Sequence, residues 1–210
     1  MTLVDALAPV RPLRRRQGVM LAVLASMAVA LAVALSMGVR ADIAVGNLHW
    51  MFFVRGITLV ALGVIAAMAA VSTSQPGIGR AQPQAWKWVL AVAALFPLGA
   101  AYQWLSGPDQ SAAYGQDVLN PRYGLECLSV SILSAMIVAT ALTAWMRRGA
   151  PASPERAGWL IGLASGALGA AAYSLHCGVN VLMYIGTWYT LAVGACAVAG
   201  RLILPRVLRW

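Results

Sequence analysis

The stretch GVMLAVLASMAVALAVALSMGV, residues 18–39, contains no charged side chain. A helix needs about 20 apolar residues to cross the ~30 Å hydrocarbon core of a bilayer, and only a helix or a closed barrel satisfies its own backbone groups there. The stretch therefore predicts a membrane-spanning helix. It is also longer than the roughly 7–15 apolar residues of a signal peptide, so we expect it to be an uncleaved first helix.

The rest of the chain has the same character. Of its 210 residues, 61% are hydrophobic and only 10% are charged, more apolar surface than a soluble domain of this size could bury. The sequence predicts an all-α, polytopic membrane protein: a six-transmembrane-helix bundle over residues 18–204, between tails at 1–17 and 205–210. The six runs nearly free of charge are 18–39, 48–71, 85–105, 125–146, 157–173 and 180–204.

Basic residues alternate in number along the chain. Six spans would place twelve of the 15 Lys and Arg on the side of the N-terminus, and only Arg40, Arg55 and Arg122 on the other. Because basic residues concentrate on the cytoplasmic side, both termini are predicted to be cytoplasmic, in a bacterial inner membrane. The net charge of +9 then reflects orientation and contact with membrane lipid, so we expect no direct nucleic-acid binding.

The same topology brings thiols to the outer face. Cys127 opens the fourth run, and Cys177 follows His176 between the fifth and sixth; His49 lies at the outer end of the second. Disulfides persist in that oxidising compartment, and thiolates with a histidine bind zinc, copper(I) or cadmium. Three interpretations stay open: a disulfide or redox pair, a metal site, or unpaired thiols in a plain turn. Cys196, deep in the sixth run, is expected to be a small apolar residue.

Two further features have structural interpretations. Gly158, Gly162 and Gly166 recur every four residues, which predicts a close helix-packing seam, and such a surface could also support a homo-oligomer.

Arg55 interrupts the second run. We expect a structural role for it, snorkelling to the interface or pairing with Asp42 or Glu126.

The sequence offers little for catalysis or coupled transport. No Asp or Glu lies deep in a run, and no nucleotide loop or nucleophile with a matching base is present, so neither an enzyme nor a cofactor is expected. The tail MTLVDALAPVRPLRRRQ, residues 1–17, could form a short apolar helical face that docks on a partner, or be a disordered basic anchor.

Several short motifs stand out along the chain. They are DALAPVRPL (5–13), ECL (126–128), RRGAP (147–151), SLHC (174–177), Trp188 and GRLILPRVLRW (200–210). Together they resemble a known family, the bacterial negative regulators of sigma F, or NrsF-like membrane proteins. The resemblance runs from near the N-terminus to the last residue, and its most specific elements are the LHC turn, Trp188 and the terminal Arg-Trp.

The resemblance implies a membrane-bound anti-sigma factor that regulates transcription by holding an extracytoplasmic-function sigma factor inactive until a metal or oxidant stress is sensed. It implies that Cys127 and Cys177, with His176, form the sensing site, and that the two thiols are the candidate metal ligands. The implied sigma-factor-binding residues are Val4, Asp5, Leu7, Pro9, Val10, Arg11 and Pro12. A small-solute or metal transporter, and a membrane scaffold with a structural disulfide, are the alternatives.

Overall fold

Helices account for most of the chain in the computed structural model, which describes residues 14–73, 83–105, 121–149, 151 and 153–208. No strand occurs in these ranges, which confirms the prediction of an all-α protein. The seven helices are α1 (Arg15–Met37), α2 (Ala41–Val45), α3 (Trp50–Thr73), α4 (Pro83–Leu105), α5 (Pro121–Met146), α6 (Pro154–Tyr173) and α7 (Leu182–Leu208).

Five of these helices are long and apolar enough to cross a membrane, namely α1, α3, α4, α5 and α7. They correspond to five of the six predicted runs. The remaining run, 157–173, lies in helix α6, which contains four glycines and has Glu155 and Arg156 in its first turn, so it is not among the five. Its composition reflects its position, since 15 of its 20 residues are buried and it packs against α1, α3, α5 and α7. A helix surrounded by other helices gains more from small side chains than from large apolar ones.

The predicted glycine seam on α6 is confirmed. A Cβ atom on Gly162 would lie 2.8 Å from the Cα of Ala197, and one on Gly158 would collide with the carbonyl oxygen of Gly200. A Cβ atom on Gly166 would lie 3.1 Å from the Cα of Val193, which also belongs to α7. The missing side chains therefore let the two helix backbones touch along about two turns.

Helix α7 contains an irregular turn. Residues Ile185–Tyr189 form a π-helical turn, and Gly186 within it packs against the backbone of α4 at Phe96. Trp188 of the same turn lies against Gly124 in the first turn of α5, where no side chain intervenes. Such turns widen a helix locally and are frequent at functional sites.

Contacts define two ends of the bundle. At one end, the first turn of α5 meets the first turn of α7, because the hydroxyl of Tyr184 donates a hydrogen bond of 3.0 Å to the carbonyl of Tyr123. At the other end, Gly18 of α1 lies against the ring of Trp145 near the end of α5. We call the first the Cys177 end, because the α6–α7 loop that carries Cys177 lies there.

Candidate functional site

The α6–α7 loop begins where α6 ends in overlapping turns. The backbone N–H groups of His176 and Cys177 both donate to the carbonyl of Tyr173, at 3.0 and 3.1 Å. Regular helix resumes only at Leu182, so the intervening carbonyl groups have no helical partner. Buried carbonyl groups of this kind require donors from elsewhere in the protein.

Arg55 supplies several of these donors. Its side chain, on the second turn of α3, is completely buried, and its guanidinium donates to the carbonyls of Val179 at 2.9 Å, Cys177 at 3.0 Å and Ser174 at 3.1 Å. The guanidinium also lies 5.4 Å from the centre of the Tyr189 ring. The expectation that Arg55 snorkels or pairs with Asp42 or Glu126 is wrong, because its guanidinium is buried and donates to the loop carbonyls instead.

Arg40 holds the loop from the other side. Its guanidinium donates to the carbonyl of Cys177 at 2.8 Å and to the side-chain oxygen of Asn180 at 3.2 Å. Its own backbone N–H donates to the carbonyl of Leu175 at 3.1 Å. Although Arg40 lies only three residues beyond the end of α1, its side chain is 3% exposed. The charge pattern of the sequence indicates only that Arg40 is an outer basic residue, and this role was missed.

Asp42 completes the Arg40 site. Its carboxylate forms an ion pair with Arg40, with one contact of 2.8 Å from Nε and a shorter one from Nη2. The hydrogen-bonded guanidinium lowers the pKa of the Asp42 carboxyl below its ordinary value of 3.8. The ion pair orients the guanidinium so that its remaining N–H groups face the loop.

The two arginines therefore converge on one backbone atom, the carbonyl oxygen of Cys177. A carbonyl oxygen has two lone pairs, so it can accept both bonds at once. We call Arg40 and Arg55, with the loop carbonyls that they bind, the arginine clamp. It fixes the position of the Cys177 backbone relative to α1 and α3.

Cys127 and Cys177 are brought together at this end. Both are free thiols; Cys127 is completely buried and Cys177 is 5% exposed. Both belong to the buried core and lie at the Cys177 end, because Cys127 is one turn beyond Tyr123, whose carbonyl accepts the hydrogen bond from Tyr184 of α7. Cys196 lies apart on α7, against the α6 seam.

The two histidines have different surroundings. His176 Nδ1 donates to the carbonyl of Gly38 at 3.1 Å, and its Nε2 lies 4.0 Å from a carboxylate oxygen of Glu126. His49, by contrast, caps the start of α3, where its ring accepts a hydrogen bond from the Met51 N–H at 3.2 Å. Thus His176 links the thiol loop to α1 and α5, whereas His49 serves its own helix.

No three Cys, His, Asp or Glu side chains are grouped for metal binding within the described ranges. Cys127 and Cys177 alone would offer a soft metal two thiolates, so their role as metal ligands stays a prediction. The predicted sigma-factor-binding residues lie outside the described part of the chain: Val4, Asp5, Leu7, Pro9, Val10, Arg11 and Pro12.

The fold and this site define a class: a polytopic helical membrane protein with a buried thiol pair beside a clamped loop at one end of its bundle. The family described as negative regulator of sigma F, NrsF, matches residues 3–210. The chain therefore belongs to the NrsF family.

Two relatives have names that state a function. The anti-sigma-F factor NrsF of Caulobacter vibrioides is 32% identical over 173 residues, covering 81% of this chain and 78% of the relative. The probable anti-sigma-F factor NrsF of Azospira oryzae is 31% identical over 179 residues, covering 82% and 78%. No solved structure matches the chain.

Proposed function

We propose that this protein is an inner-membrane anti-sigma factor that binds an extracytoplasmic-function sigma factor and releases it when a metal or an oxidant reacts at Cys127 and Cys177. Family membership and the names of both relatives support the anti-sigma role. The observation that carries the sensing role is that two free, buried thiols lie at the same end of the bundle, where two arginines hold the loop that carries Cys177.

Six spanning helices with cytoplasmic termini are part of this proposal. Helix α6 begins near the end of α7, where Gly158 meets Gly200, and it ends at the Cys177 end. It is thus as deep in the bundle as the five apolar helices, even though its own composition is less apolar. The distribution of Lys and Arg then favours a periplasmic Cys177 end.

Two reactions fit the thiol pair. A two-electron oxidant would take two electrons from the thiols, which release two protons and form one Cys127–Cys177 disulfide. A soft metal ion would instead displace both protons and bind two thiolates. Either product pulls Cys177 towards α5, which strains or breaks the bonds from the arginine clamp to its carbonyl.

Loss of the clamp changes how the helices are held together. Arg40 follows α1, and Arg55 belongs to α3, so a displaced loop releases both helices at the Cys177 end. Because the packed core is close to rigid, we expect α1 to shift against its neighbours and to carry the preceding N-terminal tail with it. To reverse a population from 99:1 repressed to 1:99, the reaction at the thiols must favour the releasing state over the repressing state by about 5.5 kcal/mol.

The sigma factor would dock on the N-terminal tail. The implied contact residues Val4 to Pro12 directly precede the basic start of α1, so an apolar docking segment would lie at the cytoplasmic surface. Deleting residues 2–13 should then derepress a sigma-dependent reporter, provided that membrane abundance of the protein is unchanged. A reporter that stays repressed would locate the main docking surface elsewhere.

The sensing role is tested with single-cysteine replacements in cells that carry a sigma-dependent reporter. Cys127→Ser and Cys177→Ser should each abolish the response to cadmium or to hypochlorous acid. Cys196→Ser is the matched control, because it removes the third free thiol, which lies apart from the pair against the α6 seam, and it should respond like the wild type. If the two replacements also respond like the wild type, the thiols are structural, as in a membrane scaffold.

A further inference from the structure

A second feature of the molecule is a groove between α5, α6 and α7, away from Cys127 and Cys177 and lined in part by Cys196. It has a volume of about 570 Å³ and a mainly apolar lining. Its floor is the glycine seam at Gly162 and Gly200, and its walls include Ala139 of α5 and Ala199 of α7. The small residues that let α6 and α7 touch thus leave a channel beside them, facing lipid.

The length of the groove fits a lipid chain. From Ile132 to Arg147, the two α5 residues at its ends, the helix advances by ~22 Å. One leaflet contributes about half of the ~30 Å hydrocarbon core. The groove can therefore hold a whole acyl chain and the beginning of its headgroup.

The end of the groove is positively charged. Arg147 lines it, is exposed, and has no carboxylate partner in the described ranges. Thr143, one turn earlier, also lines the groove; it is 6% exposed and its hydroxyl has no hydrogen-bond partner there. A cation at the mouth of an apolar groove between membrane helices is complementary to an anionic phospholipid.

We propose that this groove binds one anionic phospholipid, with an acyl chain along the α6–α7 seam and the headgroup phosphate on Arg147. The occupant is a lipid rather than a soluble phosphate, because almost the whole lining is apolar and only one end is charged. This site does not depend on the sigma factor or on the thiols.

The test uses the full-length protein in detergent and measures bound lipid by native mass spectrometry. Phosphatidylglycerol should be retained in preference to phosphatidylcholine with the same acyl chains. Arg147→Gln should weaken phosphatidylglycerol binding about fivefold, the contribution expected of one arginine near an anionic headgroup. Arg16→Gln is the matched control, since Arg16 is an exposed arginine on α1 outside the groove and should have no effect.

A second variant tests the acyl chain. Ala199 is exposed to the groove, so Ala199→Phe should fill the channel and reduce the binding of both lipids. Glycerol 3-phosphate, which has the headgroup charge without the chains, should not displace phosphatidylglycerol. Equal retention of both lipids by the wild type, unchanged binding to Arg147→Gln, or displacement by glycerol 3-phosphate would overturn the proposal. The proposal would also be overturned if the wild type were a dimer that retains no lipid and that Ala199→Phe dissociates.

Discussion

Arg40 and Arg55 donate hydrogen bonds to the same carbonyl oxygen, that of Cys177, at 2.8 and 3.0 Å. One arginine follows α1 and the other belongs to α3, so a single backbone atom in the α6–α7 loop joins three parts of the bundle. The thiol of the same residue is free and buried, as is that of Cys127. Any reaction that moves Cys177 therefore acts directly on the contacts that hold α1 and α3.

Removal of the Arg55 guanidinium should strongly destabilise the protein. Arg55→Met keeps the apolar stem but leaves the carbonyls of Ser174 and Val179 without this donor inside the protein. Unsatisfied buried groups cost about 1–3 kcal/mol each, so we expect a loss of ~3 kcal/mol or more, seen as a lower Tm by intrinsic fluorescence. Arg201→Met, at an exposed position on α7, is the matched control. Equal Tm values for the two variants would contradict a structural clamp.

Loss of the Arg40 side chain should expose Cys177 without unfolding the bundle. Arg40→Gln removes the bond to the Cys177 carbonyl while Arg55 retains its own. One lost charge-assisted bond is worth about 1.5–3 kcal/mol, so the open loop should be ~10-fold or more populated. The measurement is the rate of maleimide labelling of Cys177 in a Cys127→Ser, Cys196→Ser background. A rate like that of the parent would show that Arg55 alone positions the loop.

The Arg40–Asp42 ion pair should give the stability a defined pH dependence. The pKa of Asp42 in the folded protein lies below its ordinary value of 3.8. Its stabilising contribution is therefore complete above about pH 3.8 and is lost as the pH falls through the lower, folded-state pKa. The difference in Tm between the wild type and Asp42→Asn should be constant near neutral pH and should shrink below pH 3.8. A difference that persists at the lowest pH would have another cause.

Whether a feature of the fold or of the site could be predicted depends on how far apart along the chain the interacting residues lie. Apolar length predicts the spanning helices locally, and the four-residue spacing of Gly158 and Gly162 predicts the α6 seam. An even number of spans places Cys127 and Cys177 at one end. The clamp was missed because it depends on which carbonyls the α6–α7 loop presents, and no local pattern records that. The only signal at Arg40 is a carboxylate two residues later, at Asp42.

Replacing a glycine inside the α6–α7 seam and one outside it should have different effects on stability. Gly162→Ala places a methyl group 2.8 Å from the Cα of Ala197, where backbone must move. Overpacking of this kind costs about 1–3 kcal/mol, so the Tm should fall. Gly194→Ala, on α7, has open space around the new methyl group and should leave the Tm unchanged or raise it, because alanine favours a helix. If both variants behave alike, the close approach of α6 and α7 is wrong.

Helix α6 should cross the membrane although it is the least apolar of the long helices. Most of its residues are buried between other helices, so α6 does not need a strongly apolar surface towards lipid. Two fusions test this: alkaline phosphatase joined after Gly149, before α6, should be inactive, and the same enzyme joined after Gly178, behind α6, should be active. A fusion after Gly46, beyond α1, is the positive control for the periplasmic side. Equal activity of the first two fusions would mean that α6 does not cross the membrane. The six-span topology would then be wrong.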